Sequence, residues 1–161
     1  RVRPPTPRTS DRLVGRWCGL MGYEPIVFAA SDAAGRPYYH TNVMLSIGTG
    51  YAIVAAEAIA AADRQLVMQS LHQSGREILL IDRQAVAEFA GNVLEFAATG
   101  PDSGNTSLLV MSASAREAFS AAQYARLEAS VDAVLAVSIP TIENTAGGSV
   151  RCMLAEVFVA L

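Results

Sequence analysis

Apolar and polar positions along the chain fall into short blocks in which helical and extended periodicity take turns. Asp11 can cap a helix in which Leu13, Trp17, Leu20 and Met21 recur at helical spacing until Gly22 stops it. Residues 25–30 (PIVFAA) read as a buried strand, 31–37 as a turn, 38–47 as a second strand, and 51–59 as a third after Gly48-Thr49-Gly50. Residues 63–74 carry Leu66, Val67 and Leu71 ahead of Gly75, the pattern of an amphipathic helix, and lead into a strand at 77–81. Strands at 91–97 and 106–112 then flank a Gly, Pro, Asp, Ser and Asn-rich loop over 99–105. Residues 114–130 form a third helical region, and 133–139 and 151–161 the last two strands.

Side by side, these blocks suggest an internal repeat of one helix and three short strands, with a period of roughly 50 to 60 residues. After a proline-rich lead-in at 1–10, the repeats fall at about 11–60, 61–112 and 113–161 within a single domain. Thr41-Asn42-Val43-Met44-Leu45, Gly91-Asn92-Val93-Leu94-Glu95 and Arg151-Cys152-Met153-Leu154-Ala155 align, so Asn42, Asn92 and Cys152 stand at matching places, 50 and 60 residues apart. Pseudo-rotational symmetry would carry these positions towards one axis and gather two amides and a thiol around a common cavity. Chance likeness of short apolar strands is the competing explanation.

Composition narrows the chemistry. With 161 residues and 52% hydrophobic content the chain can bury a core, which excludes general disorder. All twelve basic residues are arginines, scattered along a chain of net charge −3, so no basic stripe for nucleic acid is present. Without lysine there is no Schiff-base nucleophile and no P-loop. The apolar run 51–62 is broken by Glu57 and falls short of the ~20 residues of a membrane span. Two cysteines fit a reducing compartment, and the expected location is cytoplasmic. Two cysteines and two histidines without close spacing make no zinc set, so neither a metal nor a cofactor is expected.

Cys152 follows the glycine-bearing loop 143–149, where Gly147 and Gly148 allow backbone to approach a ligand closely, and Arg151 is adjacent. A nucleophilic thiol requires an electropositive setting that lowers its pKa; a buried structural thiol is the alternative at this position. His40, two residues before Asn42, is the natural acid/base partner, against which stands an ordinary core histidine. Cys18 beside Trp17 reads as core and His72 as a helix C-terminal cation. Glu143 could reach the pocket, remain solvated or bind backbone amides. Asp32 sits where a turn acid bonds its own backbone.

The stretches YHTNVM (39–44), FAGNVL (89–94), IPTIE (139–143) and GGSVRCM (147–153) resemble the amidinotransferase and arginine-deiminase-like, guanidine-modifying superfamily. YHTNVM and GGSVRCMLAE are most similar to its citrulline-utilisation hydrolase branch. The resemblance implies an α/β-propeller, or pentein, of ββαβ units around a central channel, with about three of five repeats present. It implies that Cys152 attacks the guanidino or ureido carbon of a small amino acid such as citrulline or arginine, and that His40 acts as general acid and base. Asn42, Asn92, Gly148 and Arg151 are the expected substrate contacts. Asn42 occupies a position where arginine deiminases usually carry an acid, and an amide suits a neutral ureido group better than a guanidinium. The family's upstream glutamate has no counterpart here, which makes this chain the expected C-terminal part of a longer enzyme. Its partner would be the N-terminal half or a second copy. Amidino transfer to an amine, or a non-catalytic half-propeller, are the alternatives.

Overall fold

Two three-stranded sheets, each with a helical crossover, organise the chain. The structure is a computed structural model and describes residues 10–100 and 104–156. In order, the elements are α1 (Asp11–Met21), β1 (Leu45–Ile47), β2 (Tyr51–Val54), α2 (Ala61–Gln73), β3 (Glu77–Leu80), α3 (Arg83–Ala87), β4 (Leu94–Gly100) and β5 (Gly104–Ser112). They continue with α4 (Ala113–Ala118), α5 (Ala121–Ser130), β6 (Ala133–Val137), α6 (Pro140–Ala146) and α7 (Val150–Met153). Single 3-10 turns occupy Thr41–Val43 and Ala56–Ala58.

The first sheet has the order β1-β2-β3. β1 and β2 are antiparallel, and β3 returns parallel to β2, so a crossover is required and α2 supplies it. The second sheet repeats this connectivity: β4 and β5 are antiparallel from Leu94↔Val110 to Gly100↔Gly104, and β6 returns parallel to β5 across α4 and α5. The chain is thus an α/β fold of small sheets. Hydrogen bonding groups β1–β3 and β4–β6, with the helix inside each unit. The sheets are therefore offset from the helix-first blocks of the sequence.

Several expected elements are shorter or different. Residues 25–30 form no strand; Ala30 bridges Ile59, while Ile26 and Val27 stay exposed with no neighbouring strand among the described residues. Residues 38–47 are extended only at β1, because the 3-10 turn at Thr41–Val43 interrupts them. The 51–59 strand stops at Val54, where the chain turns into Ala56–Ala58. Within 99–105, β4 runs on to Gly100 and β5 starts at Gly104, replacing most of the loop; 101–103 lie outside the described residues. The 114–130 helix is broken at Phe119 and Ser120, where Ser120 and Gln123 form a reciprocal capping box that starts α5. Asp82 caps an unexpected α3, accepting from the Ala85 amide at 2.7 Å. At the C-terminal end, 151–153 are helical and 154–156 irregular, so Cys152 stands on α7 and not on a strand. The rest of the expected 151–161 strand, like lead-in residues 1–9, lies outside the described residues.

β2 is buried along its full length, and Met44, Tyr51, Ile53, Leu79, Leu109, Met111 and Leu127 are closed off from solvent. From α2 this core takes Val67 and Leu71 and leaves Leu66 exposed; from α5 it takes Leu127. Cys18 is the buried residue of α1, whose Leu13, Trp17, Leu20 and Met21 remain exposed. Among the described residues no helix is long and apolar enough to cross a membrane.

Candidate active site

Three chain segments meet at one cleft. Asn42 sits in the 3-10 turn entering β1, Asn92 in the turn entering β4, and Cys152 on α7. Asn92 joins them. Its Nδ2 donates to the Asn42 carbonyl oxygen at 3.1 Å and to Cys152 Sγ at 3.4 Å, and the thiol faces Asn92 Oδ1 at 3.6 Å. One buried amide therefore serves either protonation state of the sulfur: it donates to a thiolate and accepts from a thiol.

Close backbone approach makes this meeting possible. A Cβ at Gly91 would lie 2.5 Å from the Val43 carbonyl oxygen and 3.0 Å from Met44 Cα, so only glycine lets the Asn92 turn press against the Asn42 turn. Phe89, at φ 64°, is the one described non-glycine residue in the left-handed region, and its carbonyl accepts from the Asn92 amide at 2.8 Å. On the third side Gly147 has φ 64° at the end of α6, and Gly148 lies against the Cys152 side chain. The Cys152 amide donates to the Ser149 carbonyl at 2.9 Å.

These residues border a cleft of about 370 Å³, near the lower end of the ~300–1,000 Å³ common for small-molecule sites. Asn42, Asn92, Gly148 and Cys152 line it, as does His40, whose ring meets Tyr39 edge-on with centroids 4.9 Å apart. Val43, Val86 and Phe89 add apolar surface. Cys152 is free and exposed, as a thiol must be to meet a substrate. The Asn42 Oδ1 atom is buried without a hydrogen-bond partner.

Arg151 is placed differently from the sequence expectation. Its side chain leaves the cleft and its Nη1 donates to Ser46 Oγ at 3.3 Å, while Ser46 donates to the Val93 carbonyl at 2.9 Å. Arg36, by contrast, lines the cleft, ion-paired to Asp32 at 2.7 Å. Asp32 behaves as a turn acid: its Oδ1 accepts from the Ala34 and Arg36 amides. The Arg36 amide above all, with the guanidinium beside it, holds the Asp32 carboxyl below its ordinary range. Glu143 is buried away from the cleft between two serines. The buried role of Glu143 and the left-handed Phe89 had no readable sequence signal. Among the described residues no group of three His, Cys, Asp or Glu side chains converges as a metal site.

The α/β fold of small sheets is that of the guanidino-modifying, pentein class. Within it, the model of the eukaryotic N,N-dimethylarginine dimethylhydrolase family matches residues 5–159, and the chain belongs to that family. No curated protein matches the chain. Among solved structures, the fold is similar to ArgZ, a cyanobacterial arginine dihydrolase of the ornithine-ammonia cycle. The apo protein is 17% identical with a TM-score of 0.57, covering 86% of this chain and 19% of that one. Its N-terminal domain bound to product is 17% identical with a TM-score of 0.62, covering 90% and 46%. The same domain covalently bonded to a reaction intermediate gives 17% and 0.61, again covering 90% and 46%. The chain thus spans less than half the length of each of these structures.

Proposed function

We propose that this chain carries the nucleophile half of a hydrolase that cleaves a C–N bond in the guanidino group of a small amino acid. The observation that supports this most is the Asn92 amide bonding both Cys152 Sγ and the Asn42 carbonyl in a cleft that His40 also lines. The Cys152 thiolate adds to the guanidino carbon, forming the C–S bond. His40 gives a proton to the departing nitrogen as the C–N bond breaks, leaving a covalent thiouronium. His40 then takes a proton from water, the hydroxide adds to the same carbon, and collapse expels the thiolate and a ureido product. Asn42 Oδ1, buried and unpartnered, is the acceptor for a substrate N–H, and the Gly147–Gly148 backbone admits the planar group.

Family membership ranks methylated guanidino amino acids first as substrates. The neutral Asn42 ranks citrulline second. Asp32, the acid that lines the cleft, is already bonded to Arg36, so the carboxylate that recognises a guanidinium comes from further polypeptide of the same fold. The exposed apolar residues of α1 and of β6 (Leu135, Val137) are where that polypeptide would pack, completing a propeller to which this chain contributes the two sheets described above. The active enzyme is then the assembled domain.

The test is labelling of the 161-residue chain by 2-chloroacetamidine with peptide mapping, followed, in the assembled domain, by assay of ureido product from asymmetric dimethylarginine and arginine, and of ammonia from citrulline. Selective labelling of Cys152 over Cys18, lost in His40→Ala at neutral pH, is the expected result. Equal labelling of both thiols would overturn the nucleophile assignment.

A further inference from the structure

Among the described residues Glu143 is the one buried acid, and no step above uses it. It stands on α6, and both its oxygens are engaged: Oε2 accepts from Ser114 Oγ at 2.8 Å and Oε1 from Ser149 Oγ at 2.7 Å. Ser114 belongs to α4, which packs on the second sheet. Ser149 is fully buried, and its own carbonyl accepts from the Cys152 amide at 2.9 Å. One carboxylate therefore ties a sheet-anchored helix to the residue that starts the cysteine's helix.

Besides the burial of Ser149 itself, the segment it holds has few side-chain contacts to fix it. Gly147 and Gly148 bring no side chains, and a glycine pair loses more conformational freedom on ordering than any other. Among the described residues, the Ser149 hydroxyl makes the only side-chain hydrogen bond of 147–149. That hydroxyl does not cap α7, where a serine usually bonds a helix amide; it is turned to Glu143 instead. Helix α7 is anchored further along by its packing on β5, by buried Val150 and by the Arg151 bond to Ser46, while Ser149 fixes the point at which the chain enters it.

We infer that Glu143 is a positioning residue for Cys152, acting through Ser149 to hold the sulfur at its distance from Asn92 and the cleft. The inference rests on the reading of Cys152 as the nucleophile. Misplacing a reacting atom by about 1 Å can lower a rate by about 10²-fold. The rate of labelling per folded molecule should then fall by about 10- to 100-fold in Glu143→Ala, including on the high-pH plateau where every thiol is ionised. Glu143→Gln, which keeps one acceptor oxygen and a donor for the second serine, should recover most of it.

The experiment measures 2-chloroacetamidine inactivation of Cys152 against pH in the wild type, Glu143→Ala, Glu143→Gln, Ser149→Ala and the Glu143→Ala/Ser149→Ala double variant. The folded fraction is measured in each, together with exchange of the Cys152 amide hydrogen. Ser149→Ala should match Glu143→Ala, the double variant should be no slower than either, and the Cys152 amide should exchange faster in all three. If Glu143→Ala does not fold, Ser149→Ala and Glu143→Gln give the same reading. Wild-type plateau rates and wild-type exchange in the folded variants would overturn the inference, as would a loss that vanishes once corrected for folded fraction. Failure of the nucleophile assignment reads differently: wild-type Cys152 would react no faster with 2-chloroacetamidine than with iodoacetamide, while faster exchange in the variants would still report the clasp.

Discussion

Replacing Gly91 by alanine tests whether close backbone approach builds the site. The new methyl would lie 2.5 Å from the Val43 carbonyl oxygen, 3.0 Å from Met44 Cα and 3.1 Å from the Met44 carbonyl carbon. All three are backbone atoms, so no side chain can rotate away. An ordinary carbon contact is about 3.5–4.0 Å, so one of the two turns must retreat by close to 1 Å. Overpacking of this kind costs ~1–3 kcal/mol, which in a chain of this size lowers Tm by about 2–4 °C for each kcal/mol. Separating the turns also stretches the 3.1 Å bond from Asn92 to the Asn42 carbonyl, so labelling of Cys152 should slow with the loss of stability. Gly19→Ala is the control: a Cβ there meets nothing within 4 Å, it lies within α1, and alanine should stabilise by about 0.5–1 kcal/mol. Thermal melts and labelling rates of both variants decide the matter. A Gly91→Ala protein with wild-type Tm and wild-type labelling would refute the claim that this contact sets the position of Asn92.

Four further variants test other parts of the structure. Asn92→Ala leaves the Asn42 carbonyl without its donor and should cost ~1–3 kcal/mol, whereas Asn92→Asp should raise the thiol pKa by placing a carboxylate beside the sulfur; the pH profile of labelling reads both. Asp32 has a folded pKa below its unfolded value, so the folded state binds fewer protons. Its contribution is present above about pH 4 and is lost as pH falls through the folded value, so Asp32→Asn should differ from wild type in Tm at pH 6 and converge with it in acid. Burial first, then the Glu95 carboxylate through its charge and a side-chain hydrogen bond, push the Tyr51 phenol up, with Arg151 opposing. That raised pKa favours folding below pH ~10 and ceases to do so as pH rises through the folded value. Tyr51→Phe should therefore lose less stability than wild type as pH rises above about 10, followed by circular dichroism from pH 8 to 12.

Elements with strong local signals were legible with nearly correct bounds: α2 was expected at 63–74 and spans Ala61–Gln73, and β3 was expected at 77–81 and spans Glu77–Leu80. The Ser120 to Gln123 capping box is written inside the 114–130 helical pattern, and the Asp82 cap lies just beyond the 77–81 strand, each a local signal weaker than the pattern beside it. The strand expected at 25–30 failed for a different reason. A strand exists only where another strand bonds it, and periodicity carries no information about whether that partner is there.

By itself the sequence determined the α/β class and the guanidino-modifying superfamily, and it marked Asn42, Asn92, Cys152 and His40 as candidates, because residue type and spacing are local properties of the chain. The tertiary structure alone decided that one amide of Asn92 reaches both the sulfur and the Asn42 carbonyl, that Arg151 turns to Ser46, and that Glu143 is buried between two serines. Those facts depend on which backbones approach closely enough to leave no room for a side chain, as at Gly91, and on which polar groups are then cut off from water and must find partners in the protein.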